Sequence, residues 1–132
     1  MYLLDSNLFL ELLLDQHKAD EVEQLLRKTP REKLHVSEFS LYSVGIVLFR
    51  RKLFEVFAQF LDELVLKGGV RLLRLSLQDI GGLATVAQRF DLDFDDAYQY
   101  GVAEKYGLEI ISFDGDFDRT ERGRKTPAQL EV

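Results

Sequence analysis

The sequence contains no cysteine and no tryptophan, and it has only two prolines and two histidines among its 132 residues. Without cysteine there is no disulfide framework, no thiolate nucleophile and no zinc site built on sulfur. The scarcity of proline argues against a linker or a disordered tail. No apolar run approaches the roughly 20 residues that a membrane-spanning helix needs, and the first five residues do not resemble a secretory signal. We therefore expect one cytoplasmic domain over residues 1–132.

The negative charge is concentrated in one part of the chain. The formal net charge is −6, and nine acidic residues lie within residues 91–118, where Lys105 is the only base. Such a segment is either a solvated acidic face or a site for a hard divalent cation, because those ions prefer carboxylate oxygen. The overall balance does not favour nucleic acid, which attracts positive charge.

Short apolar segments alternate with amphipathic segments along the chain. The apolar segments predict strands over residues 2–4, 34–36, 70–75 and 108–113, with an edge strand over 129–132. The three- and four-residue spacing of apolar residues predicts helices after Ser6 or Asn7, over 17–28, 38–49 and 54–67, after Ser76, and over 97–106. This alternation indicates a mostly parallel sheet covered by helices on both faces, which is a single-domain, three-layer α/β/α sandwich.

Three acidic segments fall where such a sheet binds ligands, beyond the carboxyl ends of its strands. Asp5 follows the first predicted strand and Asp114 follows the fourth, while Asp95 and Asp96 begin a helix at the same edge. Without a cation these carboxylates repel one another, and one or more takes up a proton. Each aspartate taken singly is also explained as a helix cap or a turn residue. Their convergence predicts a site for magnesium or manganese.

Other chemistries fit the sequence less well. The Asp-x-Asp-x-Asp runs at 91–95 and 114–118 lack the glycine and the glutamate that an EF-hand loop requires at its sixth and twelfth positions. There is no glycine-rich phosphate loop, and His17 and His35 belong to no recognisable catalytic motif.

Three motifs resemble those of the PIN domain family, which includes the toxin component of bacterial VapBC toxin–antitoxin pairs. They are LLDSNLF at 3–9, DA at 96–97 followed by AEKYGL at 103–108, and IISFDGDF at 110–117. They occur in the family's order over nearly the whole chain. The resemblance implies a ribonuclease dependent on Mg²⁺ or Mn²⁺. It implies catalytic metal ligands at Asp5, Asp96 and Asp114 or Asp116, where Asp116 is either an additional ligand or a residue that supports the others. Asn7 matches the polar residue beside the first aspartate.

One position departs from the family pattern. The segment VSEFSLYS at 36–43 matches the frame S-x-x-T/S-L-x-E, but Ser43 stands where the family has glutamate. Glu38 lies five residues earlier, roughly 140° around a helix, and is a candidate replacement as a metal ligand. The departure weakens the prediction of activity and leaves the prediction of fold intact.

Two functional hypotheses remain open. The first is hydrolysis of RNA, with the basic residues after the acidic segment either holding phosphates or forming a solvated tail; these are Arg119, Arg122, Arg124 and Lys125. The second is a catalytically weak or inactive binding module that acts through dimerisation or a partner, which Ser43 and the phenylalanines of 49–60 favour. The family resemblance further implies a homodimer and an antitoxin protein that covers the acidic edge.

Overall fold

The computed structural model describes residues 1–130, and its elements follow the predicted alternation of strands and helices. The strands are β1 (Tyr2–Leu4), β2 (Leu34–Ser37), β3 (Arg71–Leu73) and β4 (Glu109–Ile111). The helices are α1 (Ser6–Leu13), α2 (Ala19–Lys28), α3 (Glu38–Arg50), α4 (Phe54–Leu61), α5 (Leu77–Gly81), α6 (Leu83–Phe90) and α7 (Phe94–Tyr106). A π-helical turn, Asp62–Leu66, continues α4, and 3₁₀ turns occupy Arg31–Lys33, Gly115–Arg119 and Pro127–Gln129. None of the helices in this part of the chain could cross a bilayer.

All four strands are parallel and lie in the order β3-β2-β1-β4. Because side chains alternate along a strand, neighbouring residues of β1 face opposite layers. Leu4 packs with residues of α1 to α4, whereas Leu3 packs with residues of α6 and α7. Each face of the sheet therefore carries its own hydrophobic core. The predicted three-layer α/β/α architecture is confirmed.

Two predicted strands are shorter than their apolar runs. In the 70–75 run only Arg71–Leu73 pairs, and the backbone N–H of Leu75 donates instead to Tyr98 Oη at 3.0 Å. In the 108–113 run the chain leaves the ladder after Ile111, and the Ser112 N–H donates to Lys125 O at 3.0 Å. In both runs, apolar residues outside the paired segment are also buried. The length of an apolar run therefore overestimates the length of the strand.

The prediction of an edge strand over 129–132 is wrong for residues 129 and 130, which the structure describes. Gln129 ends a 3₁₀ turn that begins at Pro127, and residues 131–132 lie outside the described residues. Lys125 instead forms an isolated parallel bridge with Ile111 beside β4. The Thr126 N–H donates to Gln129 Oε1 at 2.8 Å, which favours the turn over continued pairing.

Two helices begin earlier than predicted. The cap of α1 is Asp5 rather than Ser6 or Asn7, and its carboxylate accepts from the Ser6 N–H at 2.8 Å. α7 begins at Phe94 rather than at residue 97, since the Asp93 carboxylate caps it. Residues 95 and 96 therefore lie inside the first turn of α7.

The phenylalanines of 49–60 extend from the core to the surface. Phe60 is buried and its ring centroid lies 5.1 Å from that of Phe9. Phe57 is half-buried next to it, whereas Phe49 and Phe54 are 52% and 51% exposed and pack edge to face. The inner residues are core, and the outer pair is an exposed aromatic surface.

Close packing fixes the position of α7 on the sheet. A Cβ atom at Gly101 would lie 2.8 Å from Leu83 Cδ2, so a larger residue there would displace the Leu83 side chain of α6. The bond from the Leu75 N–H to Tyr98 Oη ties the same helix to the end of β3. The polar residues of α7 thus reach the carboxyl edge of the sheet at a defined place.

Candidate metal centre

Three aspartates converge at the carboxyl edge of the sheet. Asp96 projects from the first turn of α7, while Asp114 caps the 3₁₀ turn that contains Asp116. The Asp114 carboxylate accepts from the Asp116 N–H at 2.8 Å, which holds the turn closed. One carboxylate oxygen from each residue lies within 4.8 Å of the others. Oxygen ligands around one hard divalent cation have comparable separations, since each lies about 2.0–2.6 Å from the ion.

Asp5 lies beside this cluster and is held by three donors. Its Oδ1 accepts from the Ser6 N–H at 2.8 Å and from Gln99 Nε2 at 2.9 Å, and its Oδ2 accepts from Ser112 Oγ at 2.7 Å. The residue is only 6% exposed. Both of its carboxylate oxygens are therefore oriented by the protein.

Ser112 connects Asp5 to the loop that carries Asp114. Its hydroxyl donates to Asp5 and accepts from Asn7 Nδ2 and from the Asp114 N–H, each at 3.0 Å. Asn7 Oδ1 also accepts from the Phe113 N–H at 3.3 Å. Asn7 thus lies beside the first aspartate, where the motif predicts a polar residue, and it holds the loop after β4. Sequence reasoning missed Ser112, although a serine directly after a buried strand was a usable signal.

Burial and mutual repulsion make these carboxylates difficult to ionise. Burial, followed by the close Asp114 carboxyl and the charges of Asp93 and Asp5, raises the pKa of Asp96 to about 8. Burial also raises the pKa of Asp5, against the opposing hydrogen bonds from Gln99 and Ser112. Within residues 1–130 the buried Asp96 Oδ2 has no hydrogen-bond partner. An unpartnered buried oxygen in an all-oxygen donor set fits a hard divalent cation, which would favour the charged form of these groups.

Glu38 and Ser43 lie on α3 but outside the cluster of three. Glu38 begins the helix, and its carboxylate accepts from the Tyr42 hydroxyl, facing an open groove that Arg74 and Phe94 also line. Ser43 is partly buried, one turn after Ser40. Over the described chain, the oxygen cluster comprises only the three aspartates.

Sequence reasoning also missed Gln99 and Ser40. Gln99 lies on the buried face of α7, and its Nε2 donates both to Asp5 Oδ1 at 2.9 Å and to Ser40 Oγ at 2.6 Å. The Ser37 hydroxyl donates to the same Ser40 oxygen at 3.1 Å. A glutamine three residues after Asp96 on the same helix was a signal for this contact, because residues three apart share a helix face.

The basic residues after the acidic segment make contacts within the protein. Arg119 donates to Asp116 Oδ1 at 3.0 Å and to the Phe90 and Asp91 carbonyls. The other three basic residues form contacts outside the cluster. Arg122 donates to Leu108 O, Arg124 donates to Asp118 and to Ser112 O, and Lys125 pairs with Glu109. Arg119 is the member of this set that touches a clustered aspartate.

A parallel α/β/α sandwich with aspartates gathered at its carboxyl edge agrees with the family that the motifs resemble. Residues 2–123 match the family model described as PIN domain, and the chain therefore belongs to the PIN domain family. None of the curated proteins compared with it matches.

Solved structures of toxin–antitoxin proteins share this fold. A toxin–antitoxin complex from Klebsiella pneumoniae has a TM-score of 0.76 at 21% identity, covering 98% of this chain and 100% of that one. VapC20 from Mycobacterium tuberculosis, described as a sarcin-ricin loop cleaving toxin, has a TM-score of 0.77 at 20% identity, covering 89% and 93%. FitAcB from Neisseria gonorrhoeae has a TM-score of 0.74 at 19% identity, covering 98% and 100%. At these identities the likeness concerns the fold.

Proposed function

We propose that this protein is a divalent-metal-dependent endoribonuclease. The observation that carries the proposal is the set of oxygens from Asp96, Asp114 and Asp116, which lie within 4.8 Å of one another. In addition, the buried Asp96 Oδ2 has no hydrogen-bond partner within residues 1–130. Membership of the PIN domain family supports a nuclease. The shared fold with VapC20, described as a toxin that cleaves the sarcin-ricin loop, supports RNA as the substrate.

In this proposal Asp5, Asp96, Asp114 and Asp116 hold Mg²⁺ or Mn²⁺. When bound, such an ion polarises a phosphodiester and lowers the pKa of a coordinated water. The protein contributes orientation: Ser112 and Asn7 hold Asp5 and the Asp114 loop in one arrangement. Asp96 must give up its proton to act as a charged ligand, because its pKa of about 8 leaves it largely protonated at neutral pH.

RNA phosphates require positive charge near this acidic edge. We propose that Arg119 supplies it at the cleavage site, since its guanidinium already contacts Asp116. If Asp116 held a cation, its ion pair with Arg119 would be weakened, and the guanidinium would then be available to a phosphate. Arg122, Arg124 and Lys125 would contact flanking phosphates only by exchanging their present partners.

We further propose that the protein is the toxin of a toxin–antitoxin pair and acts in the cytoplasm as a homodimer. The solved structures of similar fold include toxin–antitoxin complexes, which supports an antitoxin partner. A partner segment that covers the carboxyl edge, with a basic side chain among the carboxylates, would neutralise the cluster. The exposed aromatic surface of Phe49 and Phe54 is the surface that we propose for the dimer contact.

Ser43 favours a second candidate function. An acidic residue on α3 would add a carboxylate to the site, but Ser43 is neutral and Glu38 bonds to Tyr42 instead. A site with fewer charges would hold one ion without efficient cleavage. The protein would then act as a PIN-fold binding module.

Manganese calorimetry combined with cleavage of a mixed RNA pool separates these candidates. The wild type is compared with Asp96→Asn, and Asp95→Asn, an exposed neighbour in the same helical turn, is the matched control. We expect Asp96→Asn to lose binding and cleavage and Asp95→Asn to retain both. Binding without cleavage in the wild type would support the binding module, and no binding at millimolar manganese would exclude the metal site.

A further inference from the structure

Gln99 is a buried polar residue of the site, and core packing alone does not explain why a polar side chain lies there. It is 2% exposed, and it contacts Asp5 on one side and Ser40 of α3 on the other. Asp5 Oδ1 already accepts a hydrogen bond from the Ser6 N–H, so the donor-bearing amide nitrogen of Gln99, rather than its oxygen, faces that atom. Both protons of that nitrogen are then used, one on Asp5 Oδ1 and one on Ser40 Oγ. The orientation of the amide is therefore determined.

In this orientation the amide oxygen has no partner within residues 1–130. Gln99 Oε1 is buried and accepts no hydrogen bond from any residue in the described part of the chain. A buried carbonyl without a donor is destabilising, and an apolar side chain of the same size would avoid that loss. The amide therefore serves the contact with Asp5 rather than the stability of the core.

The contact with Asp5 also links two candidate ligands. Gln99 lies three residues after Asp96 on α7, so both side chains project from one face of that helix. The carboxylate torsion of an aspartate is soft, and its orientation depends on the donors around it. Ser6 and Ser112 hold Asp5 from α1 and from the loop after β4, whereas Gln99 holds it from the helix that carries Asp96.

We propose that Gln99 is a positioning residue of the metal centre, which fixes the Asp5 carboxylate beside Asp96 through its amide nitrogen while Ser40 fixes the amide. The inference rests on the proposed function, because it assumes that Asp5 is a ligand. A neutral donor is suited to this task, since a lysine or arginine would compete with the cation for Asp5 and an acid would add repulsion. Ser40 contributes only through Gln99.

Manganese titration by calorimetry on four variants tests the proposal. Gln99→Met keeps the approximate volume and removes the donor, Ser40→Ala removes the anchor, and the double variant combines them. Gln59→Met is the matched control, because Gln59 is exposed on α4 and bonds only to Glu63 in the described structure. Thermal unfolding in a chelator establishes that each variant is folded.

We expect Gln99→Met to weaken manganese binding by about tenfold, as is typical when a residue that orients a ligand is lost. Ser40→Ala is expected to weaken binding less, and the double variant is expected to match Gln99→Met. Gln59→Met should bind as the wild type does. A folded Gln99→Met protein with wild-type affinity would overturn the inference, as would additive effects of the two substitutions.

The remaining outcomes are also decisive. If Gln99→Met does not fold, the test rests on Ser40→Ala, because that substitution leaves every direct contact of Asp5 in place. Unchanged manganese affinity in Ser40→Ala would then reject the role of the amide. If the wild type does not bind manganese at millimolar concentration, the proposed metal site fails and the inference fails with it. Binding in the wild type that survives Gln99→Met rejects the inference alone.

Discussion

Arg119 Nη1 lies 3.0 Å from Asp116 Oδ1, so one of the three clustered carboxylates already has a cationic partner within the protein. The pair is about half exposed at both ends, and such pairs are weak and exchange readily. In the proposed metal centre, Asp116 would therefore be shared between this guanidinium and the metal ion. Competition between the two cations leads to the first prediction.

Replacing Arg119 with alanine should strengthen manganese binding by about threefold, the scale of an exposed ion pair. The same substitution should weaken RNA binding, since it removes the phosphate contact proposed for Arg119. Calorimetry and fluorescence anisotropy with an RNA oligonucleotide measure the two effects. Arg124→Ala is the control for manganese binding, because Arg124 pairs with Asp118 outside the cluster. Unchanged or weaker manganese binding by Arg119→Ala would show that the ion pair does not compete.

Asp96→Asn should stabilise the metal-free protein at alkaline pH. The pKa of Asp96 is about 8 in the folded protein, against 3.8 for an unperturbed aspartate. The folded state therefore retains a proton that the unfolded state has released, and stability is lost as the pH rises from about 4 to 8. Asparagine avoids this loss. We expect a gain of at least about 1 kcal/mol at pH 8.5, a rise of about 4 °C in Tm, and little change at pH 4.

Thermal unfolding in a chelator at both pH values measures this effect. Asp20→Asn is the control, since Asp20 is exposed on α2. A gain of equal size at pH 4 and pH 8.5 would mean that ionisation of Asp96 is not its cause.

Metal binding should strengthen as the pH rises toward 8. Each ion that engages Asp96 displaces its proton, and loss of one proton changes affinity by at most about tenfold per pH unit. The affinity should then level off at pH values well above 8, where Asp96 is ionised before the metal binds. Calorimetry in buffers of different ionisation enthalpy counts the proton released at neutral pH. Affinity that is constant from pH 6 to 8 would contradict the raised pKa of Asp96.

The buried and the exposed phenylalanines of residues 49–60 should respond differently to substitution. Phe60→Ala removes a buried ring in contact with Phe9 and should lower the free energy of unfolding by about 3 kcal/mol. Phe54→Ser changes an exposed ring, so the protein should remain folded but dissociate to a monomer if this surface forms the proposed dimer. Denaturant unfolding and sedimentation velocity measure these outcomes. A dimer that is unchanged in Phe54→Ser would place the contact elsewhere.

Much of the fold and part of the candidate site were predictable from local patterns. Apolar runs and helical spacing predict the order of strands and helices, and a parallel sheet places the residues that follow its strands at one edge. Asp5 and Asp114 could be placed at that edge for this reason. The motifs of the PIN domain family added Asp116 and Asn7, which no periodicity reveals.

Contacts between distant residues were decided only by the tertiary structure. The bond from Gln99 to Asp5 joins residues 94 apart, and the bond from Gln99 to Ser40 joins residues 59 apart. Local spacing specifies which face of a helix is buried, but it does not specify which polar group on another element meets that face. The same limit explains why Glu38 remained a candidate ligand although its carboxylate bonds to Tyr42. The sequence by itself determined the layers of this protein and the edge where its acids gather, whereas packing between layers determined which of those acids approach one another and what holds them there.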